Sequence, residues 1–579
     1  MAKSVFKIHP AIGIARVGNA DRGSGGFFIG PETPGMPANW DPLAQQFRSF
    51  KLDGKIKAQA ARFRIWEYVE TAGKLVPQRE LDLDTPEIVS IEWTVHLANR
   101  KASFFKFNGS KGESDNFASM TSADRRNASV ANVEREKKLE IDEGPKSIKG
   151  KNTASVQFKN TKTQIPIEMI GELRTDERGH LLVLGGKGQS NSSITPPKPL
   201  TTYANNDTWF DDIADGPVTA VVAIKNQAGD VQQISVEGSW VLIGPPDFGP
   251  SIQNVVTLYD ALWDVSVRKL KIPADNALYD EYAPGKGLAV LRAQNAEWSI
   301  QNTLNDYTPH FTGELFPIFN HAYNTRWVHE PLSGGSVPPQ QHNRIADAQA
   351  KALSELPGNP IQRKSVFNRL RNPDSPNVNA QAMPKAFGDD YNPPKPVPTS
   401  YLSLTRTQGA LMKQWTVGKF ISDWNGVPPK PASEDITPEG LDRAALENCV
   451  GGAFYPGIEA SWLIRKPEVF SEPFRIKHGA MIGPLTVRAG FFSQQMALPW
   501  QADFYACAKE QFSGDVTGTT FHAWWPAQRP DDVFKQGIST SMVEWARGFG
   551  KYEDMVDRWS TRGHVVEELG QFFEHDGPP

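Results

Sequence analysis

The chain has 579 residues, with 62 Lys and Arg residues against 66 Asp and Glu residues, and its formal net charge is −4. This near balance argues against a nucleic-acid-binding protein, which usually presents a basic patch. Hydrophobic residues make up 39% and aromatic residues 10%, so the chain can bury a large core and is not disordered. Only two cysteines occur beside 16 tryptophans, which excludes a disulfide framework and a zinc site of paired cysteines.

The N-terminus carries no recognisable targeting signal. Residues 1–16 contain scattered charges and an early Pro10, with no continuous apolar segment. No run of 18 apolar residues occurs, so we expect no membrane span. We therefore expect synthesis in the cytoplasm, and export by a route without a cleaved signal peptide stays open.

Residues 1–250 are predicted to form a β-rich N-terminal region. Short apolar or alternating runs bounded by Gly, Pro, Asn and Asp are typical of strands. These runs are 61–69, 91–97, 181–184, 218–224 and 239–243. Residues 109–160 are rich in Ser, Lys, Asn and Glu, and we expect an exposed excursion there with one hairpin.

After residue 250 the pattern becomes helical. Apolar residues spaced by three or four predict helices over 255–270, 287–304 and 341–356, the last ending before Pro357. Proline clusters at 384–398 and 428–438 predict loops or linkers. We divide this half into a mixed helical region, 251–430, and a C-terminal region, 431–579. The predicted class is α+β, with a β-rich N-terminal half and a helix- and loop-rich C-terminal half.

The common catalytic signatures are missing. We find no G-x-S-x-G elbow, Walker A loop, His-Glu-x-x-His pair or G-x-G-x-x-G turn. The run 185–188 (GGKG) follows an apolar strand, but its spacing fits a tight turn better than a phosphate-binding loop. The eleven histidines show no ligand spacing, so we expect no metal site.

The segment 499–507 (PWQADFYAC) stands out. Pro499 suits the first position of a helix, and helical geometry would make Asp503 and Cys507 neighbours on one face. A carboxylate beside a thiol raises the pKa of the thiol, which disfavours Cys507 as a thiolate nucleophile. Asp503 could instead act as a base on something held at the cysteine. By spacing alone, a small buried core residue is the favoured interpretation of Cys507.

Several segments resemble the LodA-like family of amino-acid oxidases, whose known activities are lysine 6-oxidase and glycine oxidase. The resemblance extends over nearly the whole chain. The matching segments are 8–19 (IHPAIGIARVGN), 59–64 (QAARFR), 93–99 (WTVHLAN), 205–212 (NNDTWFDD), 244–248 (GPPDF), 447–452 (ENCVGG), 499–507 (PWQADFYAC) and 524–530 (WWPAQRP).

The resemblance implies a cofactor made from the chain itself. Members of this family carry cysteine tryptophylquinone, an oxidised tryptophan joined to a cysteine by a thioether. The family pattern places an aspartate four residues before that cysteine, as Asp503 precedes Cys507. We assign Trp559 as the cross-linked tryptophan. The alternatives are Trp500, Trp524 and Trp525.

Two further residues receive roles by the same resemblance. His522 is similar to the active-site histidine of glycine oxidase members, although a packed neighbour of the adjacent tryptophans is an equal alternative. Cys449 has a counterpart near the site of lysine oxidases, although a packing role is the simpler interpretation. The chain is shorter than the characterised oxidases, which affects expectations about substrate loops and subunit contacts.

The implied activity is oxidative deamination of a primary amine of an amino acid. A quinone is an electrophile that ordinary side chains do not provide, and Asp503 would remove a proton from the carbon next to nitrogen. Oxygen would reoxidise the enzyme, and the products would be an aldehyde or oxo acid, ammonia and hydrogen peroxide. The resemblance also implies a flavoprotein maturation partner and a homo-oligomer.

The sequence leaves other readings open. One alternative is a non-catalytic family member that acts as a binding or structural protein, and another is a hydrolase with an unrecognised site. The choice between glycine and the lysine side-chain amine is also open, because one sequence does not show which residues line the site.

Overall fold

The structure is a computed structural model. It describes residues 4–71, 74–107, 117–270, 307–328, 347–371, 373, 382, 401–426, 436–452, 456–506, 510–512, 521–523, 526–537 and 541–579. Among these residues, no helix is both long enough and apolar enough to cross a membrane.

A curled sheet of 15 strands occupies most of the N-terminal half. Along its main path, the strand Asp215–Lys225 pairs with Ser239–Gly244, which pairs in parallel with Ile12–Arg16. The long strand Ala58–Thr71 then leads to Leu181–Gly185 and the far edge. The strands of this sheet are Ser4–His9, Ile12–Arg16, Phe27–Ile29, Ala58–Thr71, Lys74–Leu81, Ile88–Val95, Ala98–Asn99, Ile141–Asp142, Lys146–Lys149, Val156–Lys159, Met169–Thr175, Leu181–Gly185, Asp215–Lys225, Val231–Ser235 and Ser239–Gly244.

All five predicted strands are present. The strand Ser239–Gly244 shows why an uninterrupted apolar run predicted a strand. Every residue of this strand is buried. Trp240 and Leu242 pack into one apolar cluster, whereas Val241 and Ile243 pack into another. Because side chains alternate along a strand, an uninterrupted apolar run indicates a sheet covered on both faces.

The remaining described elements are short helices and two-stranded hairpins, so the predicted α+β class is confirmed. The α-helices are Arg135–Leu139, Leu258–Arg268, Phe316–Asn324, Asp347–Ser354, Pro360–Phe367, Arg406–Thr416, Pro438–Glu447, Trp500–Ala506 and Tyr552–Arg558. The hairpins pair Trp40–Asp41 with Gln46–Phe47, Lys51–Leu52 with Lys55–Ile56, Ser190–Ser192 with Trp209–Asp211, Phe470–Glu472 with Arg475–Ile476, Met481–Ile482 with Leu485–Thr486, Glu510–Phe512 with Phe521–Ala523, Asp532–Phe534 with Met542–Glu544, and His564–Glu568 with Gln571–His575.

The helix predicted over 255–270 is confirmed as Leu258–Arg268. Thr257 and Asp260 form a capping box at its start, since each side chain accepts a hydrogen bond from the other residue's backbone N–H. The helix predicted over 341–356 is described as Asp347–Ser354. The predicted helix 287–304 and the proline-rich segment 384–398 lie outside the described residues, and of 428–438 only the last three residues are described.

The polar stretch 109–160 contains more regular structure than its composition predicted. Lys146–Lys149 pairs with Ile88–Val95 as a strand of the main sheet. Leu139, Ile148 and Phe158 are buried in the core. The amphipathic character of such short segments is hidden in the sequence, because one buried residue in four does not produce a visible period.

Arg16 ties the sheet to the C-terminal half. Its guanidinium lies 2.8 Å from Glu459 and donates a hydrogen bond to the carbonyl oxygen of Asn448. Both Arg16 and Glu459 are buried, and the neighbouring carboxylates of Glu459 and Asp247 raise the pKa of Arg16 against the effect of its own burial. Removing one member of such a buried pair would leave an unpaired charge in the core.

Candidate active site

The Asp503 helix, Trp500–Ala506, is a short and deeply buried element. Its first five residues are all buried, and Asp503 is 2% exposed. The helix begins at Trp500, one residue later than the sequence predicted, so Pro499 precedes its first position. The backbone N–H of Trp500 donates to Asp211 Oδ2 at 3.1 Å, so an aspartate from the N-terminal half holds the start of the helix. The helix ends one residue before Cys507, which lies outside the described residues.

Trp559 lies against this helix. Trp559 is the first residue of the one-turn 3₁₀ helix Trp559–Thr561, which directly follows the helix Tyr552–Arg558. The Trp559 residue is 5% exposed. The rings of Trp500 and Trp559 meet edge to face, with centroids 5.6 Å apart and planes at 70°. The two short helices also pack together, and the Tyr505 and Tyr552 rings are 5.0 Å apart. The structure therefore brings Trp559 to the helix that carries Asp503.

A glycine turn closes the other side of the Trp559 ring. Residues 186–189 connect the strand Leu181–Gly185 to the strand Ser190–Ser192 through a bend at Gly188, whose φ is +73°, and not through the predicted tight turn. We call residues 185–189 the glycine turn. A Cβ built on Gly188 would lie only 2.1 Å from Cζ2 of Trp559. Gln501 of the Asp503 helix donates a hydrogen bond to the carbonyl oxygen of Gly188 at 3.0 Å. The turn, the helix and the indole are thus in direct contact.

Asp211 and Asp212 are adjacent, both fully buried, and differ in their partners. Lys101 pairs with Asp211 at 2.6 Å, and Asn99 also donates to Asp211. Asp212 instead accepts hydrogen bonds from the backbone N–H groups of Gln189 and Gly188, and its Oδ1 has no hydrogen-bond partner among the described residues. Burial raises the pKa of Asp212 to about 7, with the neighbouring Asp211 charge adding to the effect.

Arg529 holds the other end of the Asp503 helix. Its Nε donates to the carbonyl oxygen of Phe504 at 2.6 Å, and its guanidinium stacks on the Trp545 ring at 5.1 Å. The neighbouring Gln528 accepts a hydrogen bond from Asn254 and donates to the carbonyl oxygen of Asn448. The backbone N–H of Phe248 also donates to the carbonyl oxygen of Gln528 at 3.1 Å, so the segments 244–248, 447–452 and 526–530 are in contact.

Cys449 lies in a different environment from Trp559. It is fully buried, and its thiol donates to the carbonyl oxygen of Ala445 at 3.4 Å. Burial and the Glu459 charge raise the pKa of this thiol well above its usual value, despite the nearby Arg16. Cys449 belongs to the apolar cluster that packs on Trp240 and Leu242, whereas Trp559 belongs to the cluster of Val241 and Ile243. Its predicted place near the site stays a prediction.

The remaining predicted residues are only partly described. His522 lies in the strand Phe521–Ala523, opposite Gln511 of the strand Glu510–Phe512, and its side chain is outside the described part of the chain. Trp524 and Trp525 also lie outside the described residues. The role of His522 therefore stays a prediction.

One cluster has the residue types of a metal site. Potential ligand atoms of Glu80, Asp82 and His180 all lie within 4.8 Å of one another. Arg64 pairs with Glu80 at 2.8 Å, however, and Arg178 pairs with Asp82. Guanidinium groups therefore already neutralise these carboxylates, and the cluster is an ion-pair network within the sheet.

The sequence by itself did not indicate the roles of Gln501, Arg529 and Lys101. For Gly188 it indicated only a place in a turn. Gln501 and Arg529 stand inside two of the family-like segments, which is the signal that could have found them. Lys101 carries no such signal, because a lysine is usually exposed and its pairing with Asp211 exists only in the folded chain.

Two family models match this chain. The family model described as L-lysine epsilon oxidase N-terminal matches residues 9–243, and that of the L-lysine epsilon oxidase C-terminal domain matches residues 384–525. Together the two models match more than half of the chain. The L-lysine 6-oxidase of Marinomonas mediterranea is 27% identical, over 97% of this chain and 87% of that protein.

Solved structures show the same fold. The crystal structure of the Schiff base intermediate of L-Lys epsilon-oxidase from Marinomonas mediterranea with L-Lys has a TM-score of 0.74 to this chain. A second crystal structure of the L-Lys epsilon-oxidase from the same organism has a TM-score of 0.72. Each is 24% identical and covers 99% of this chain and 95% of its own. The chain belongs to the L-lysine ε-oxidase (LodA-like) family and is an amino-acid oxidase.

Proposed function

We propose that the chain oxidatively deaminates a primary amine of an amino acid through a cysteine tryptophylquinone made from Cys507 and Trp559. Oxygen is the electron acceptor, and the products are an aldehyde or oxo acid, ammonia and hydrogen peroxide. One observation carries the proposal. The buried Trp559 packs on Trp500, in the same short helix that holds the buried Asp503 and ends one residue before Cys507.

The surroundings of Trp559 fit such a group. A quinone adds carbonyl oxygens, which accept hydrogen bonds, to a ring that in tryptophan has only a donor. The indole N–H of Trp500 is buried and has no acceptor among the described residues, so a donor is available beside the ring. The absence of a side chain at Gly188 leaves room along the ring, where a Cβ would collide with it.

The quinone supplies an electrophilic carbonyl and an acceptor for two electrons, neither of which ordinary side chains provide. Asp503 then serves as the general base that takes the proton from the substrate carbon next to nitrogen. A positioned base of this kind contributes about 10² to 10⁴ in rate. Burial of Asp503 at 2% exposure excludes bulk water from the proton transfer. His522 is proposed to assist proton transfer, in accordance with its family resemblance.

The side-chain amine of L-lysine is the first candidate substrate, because the relatives that match nearly the whole chain are named as L-lysine oxidases. Glycine is the second candidate substrate, because His522 is similar to the active-site histidine of the glycine oxidases in the family. A dedicated flavoprotein for maturation and assembly as a homo-oligomer are part of the same proposal.

Peptide mass spectrometry tests the cofactor directly, because the chain has only two cysteines. We expect a doubly oxygenated, thioether-linked pair of peptides holding Cys507 and Trp559. The pair should be lost in Cys507→Ala and retained in the matched variant Cys449→Ala. Unmodified, separate peptides in the mature wild-type protein would contradict the proposal and favour a non-catalytic family member.

Peroxide release tests the activity. L-Lysine and glycine are compared at equal concentration, with oxygen uptake followed in parallel. Peroxide release from either amino acid with matched oxygen consumption supports an oxidase, and no peroxide and no oxygen uptake with either would contradict the proposed activity.

A further inference from the structure

We infer that the glycine turn, residues 185–189, is the positioning element that sets the Trp559 ring in place for cross-linking to Cys507, with Gly188 as its essential residue. This inference rests on the proposed cofactor. It assigns a function to the one glycine-rich motif for which neither the family resemblance nor the proposed chemistry has a role.

Gly188 touches the ring where no other residue type fits. A Cβ at this position would lie 2.1 Å from Cζ2, 2.7 Å from Cε2 and 2.9 Å from Cη2 of Trp559, and each distance is shorter than real Cβ contacts. The ring cannot move aside as a flexible side chain would, because it is rigid, buried and packed on Trp500.

Hydrogen bonds fix the turn from three sides. Arg22 donates to the carbonyl oxygens of Gly185 and Gly186, both at 2.7 Å. Gln501 donates to the carbonyl oxygen of Gly188, and Ser190 in turn donates to Gln501 Oε1 at 2.5 Å. The carbonyl groups along the turn are therefore held by two buried side chains from distant parts of the sequence.

Asp212 holds the third side. Its carboxyl group accepts the backbone N–H of Gln189 at 3.0 Å and that of Gly188. A Cβ on Gly186 would lie 2.2 Å from Asp212 Oδ2, so a second glycine is needed for this close approach. Because Gln501 belongs to the Asp503 helix, the turn aligns the ring with the helix that leads to Cys507.

Such alignment matters for bond formation. In thioether formation the S–H bond of Cys507 and one ring C–H bond are replaced by a C–S bond, and the two protons and two electrons go to the oxidant of the proposed flavoprotein-dependent maturation. The C–S bond forms only when the sulfur and that ring carbon are brought together in a reactive geometry. A displacement of about 1 Å can cost about 10²-fold in rate when geometry is this demanding. A methyl group 2.1 Å from Cζ2 would force the rigid ring and the turn apart by about 1 Å. We therefore expect Gly188→Ala to block cofactor formation.

The test compares Gly188→Ala with Gly54→Ala. Both glycines have a φ of +73°, so the backbone strain of the substitution is matched, but a Cβ on Gly54 meets nothing within 4 Å. The readout is the fraction of Cys507–Trp559 cross-linked peptide in the mature protein. We expect at least a tenfold loss in Gly188→Ala and wild-type cross-linking in Gly54→Ala. Wild-type cross-linking in Gly188→Ala would overturn the inference.

A second measurement separates this inference from the proposed cofactor. In a Cys507→Ala background no thioether can form, so unfolding by denaturant reports only on the contact between Gly188 and Trp559. In this background, Gly188→Ala should lower the denaturant concentration at half unfolding more than Gly54→Ala does. Equal unfolding midpoints for the two variants would contradict the contact between Gly188 and Trp559. Absence of a cross-link in the wild-type protein would instead reject the cofactor.

A milder variant covers the case in which Gly188→Ala does not fold. Gln501→Met keeps the length of the side chain but removes its hydrogen bonds to Gly188 and Ser190. We expect a cross-linked fraction several-fold below that of the wild type. An unchanged fraction would show that the hydrogen bonds of Gln501 are not needed to position the turn.

Discussion

Trp500 and Trp559 meet edge to face at 5.6 Å, and this contact joins the Asp503 helix to the C-terminal turn that carries the proposed quinone. Both rings are almost fully buried. The contact places an aromatic wall beside Trp559, while Gly188 forms the wall on another side. Stability and chemistry therefore depend on the same small group of residues.

Replacing Trp500 tests how much this contact stabilises the fold. Trp500→Ala should lower the free energy of unfolding by about 3–5 kcal/mol, because a buried indole is lost and a cavity is left. Urea denaturation measures the change. Trp500→Phe, which keeps an aromatic ring, should cost less than half as much. A loss below about 1 kcal/mol for Trp500→Ala would contradict the packing described here.

Replacing Asp503 tests its role as a base. Asp503→Asn keeps the shape of the side chain but removes the proton acceptor, so kcat should fall by about 10²- to 10⁴-fold. Oxygen uptake is normalised to the cross-linked fraction, because the same residue is proposed to act during cofactor formation. The matched control is Asp557→Asn, which replaces an exposed aspartate on the adjacent helix Tyr552–Arg558. A normalised kcat within threefold of wild type would exclude Asp503 as the base.

Asp212 should make stability depend on pH. The pKa of Asp212 is about 7 in the folded chain against its ordinary value of 3.8, because burial disfavours the charged carboxylate, so the folded state binds the proton more tightly. Its contribution to stability is fully present below about pH 4 and is lost as the pH rises through 7. The total loss of unfolding free energy from this group is roughly 4 kcal/mol at most.

Asp212→Asn removes this titration. The stability of the wild type relative to the variant should therefore fall between pH 4 and 7 and then stay level. Denaturant unfolding at several pH values measures this difference, in which other titrating groups such as Asp247 cancel. A constant difference across that range would mean that Asp212 keeps an ordinary pKa.

The Lys101–Asp211 pair should be costly to break. Both side chains are fully buried, and Asp211 also accepts the first backbone N–H of the Asp503 helix. Lys101→Met leaves Asp211 as an unpaired buried charge, and we expect a loss of about 3–5 kcal/mol in unfolding free energy. The double variant Lys101→Met/Asp211→Asn should recover part of this loss. Equal stability of the single and double variants would argue against a charge effect.

The sequence by itself determined the elements whose cause is local. The strand Ser239–Gly244 was predicted from its apolar run and the helix Leu258–Arg268 from its period. The family-like segments also indicated the oxidase family and drew attention to Asp503, Cys507 and Trp559. Short-range preferences and family-like motifs can both be recognised along one chain, because they depend on neighbouring residues.

Only the tertiary structure decided which distant residues share the site. Gln501 and Gly188 are 313 residues apart in the chain, yet a hydrogen bond joins them. The sequence also could not show that Lys101 is buried with Asp211, or that Oδ1 of Asp212 is buried with no hydrogen-bond partner among the described residues. Burial and charge pairing depend on which surfaces the fold brings together, and this long-range packing gives the Trp559 ring its walls.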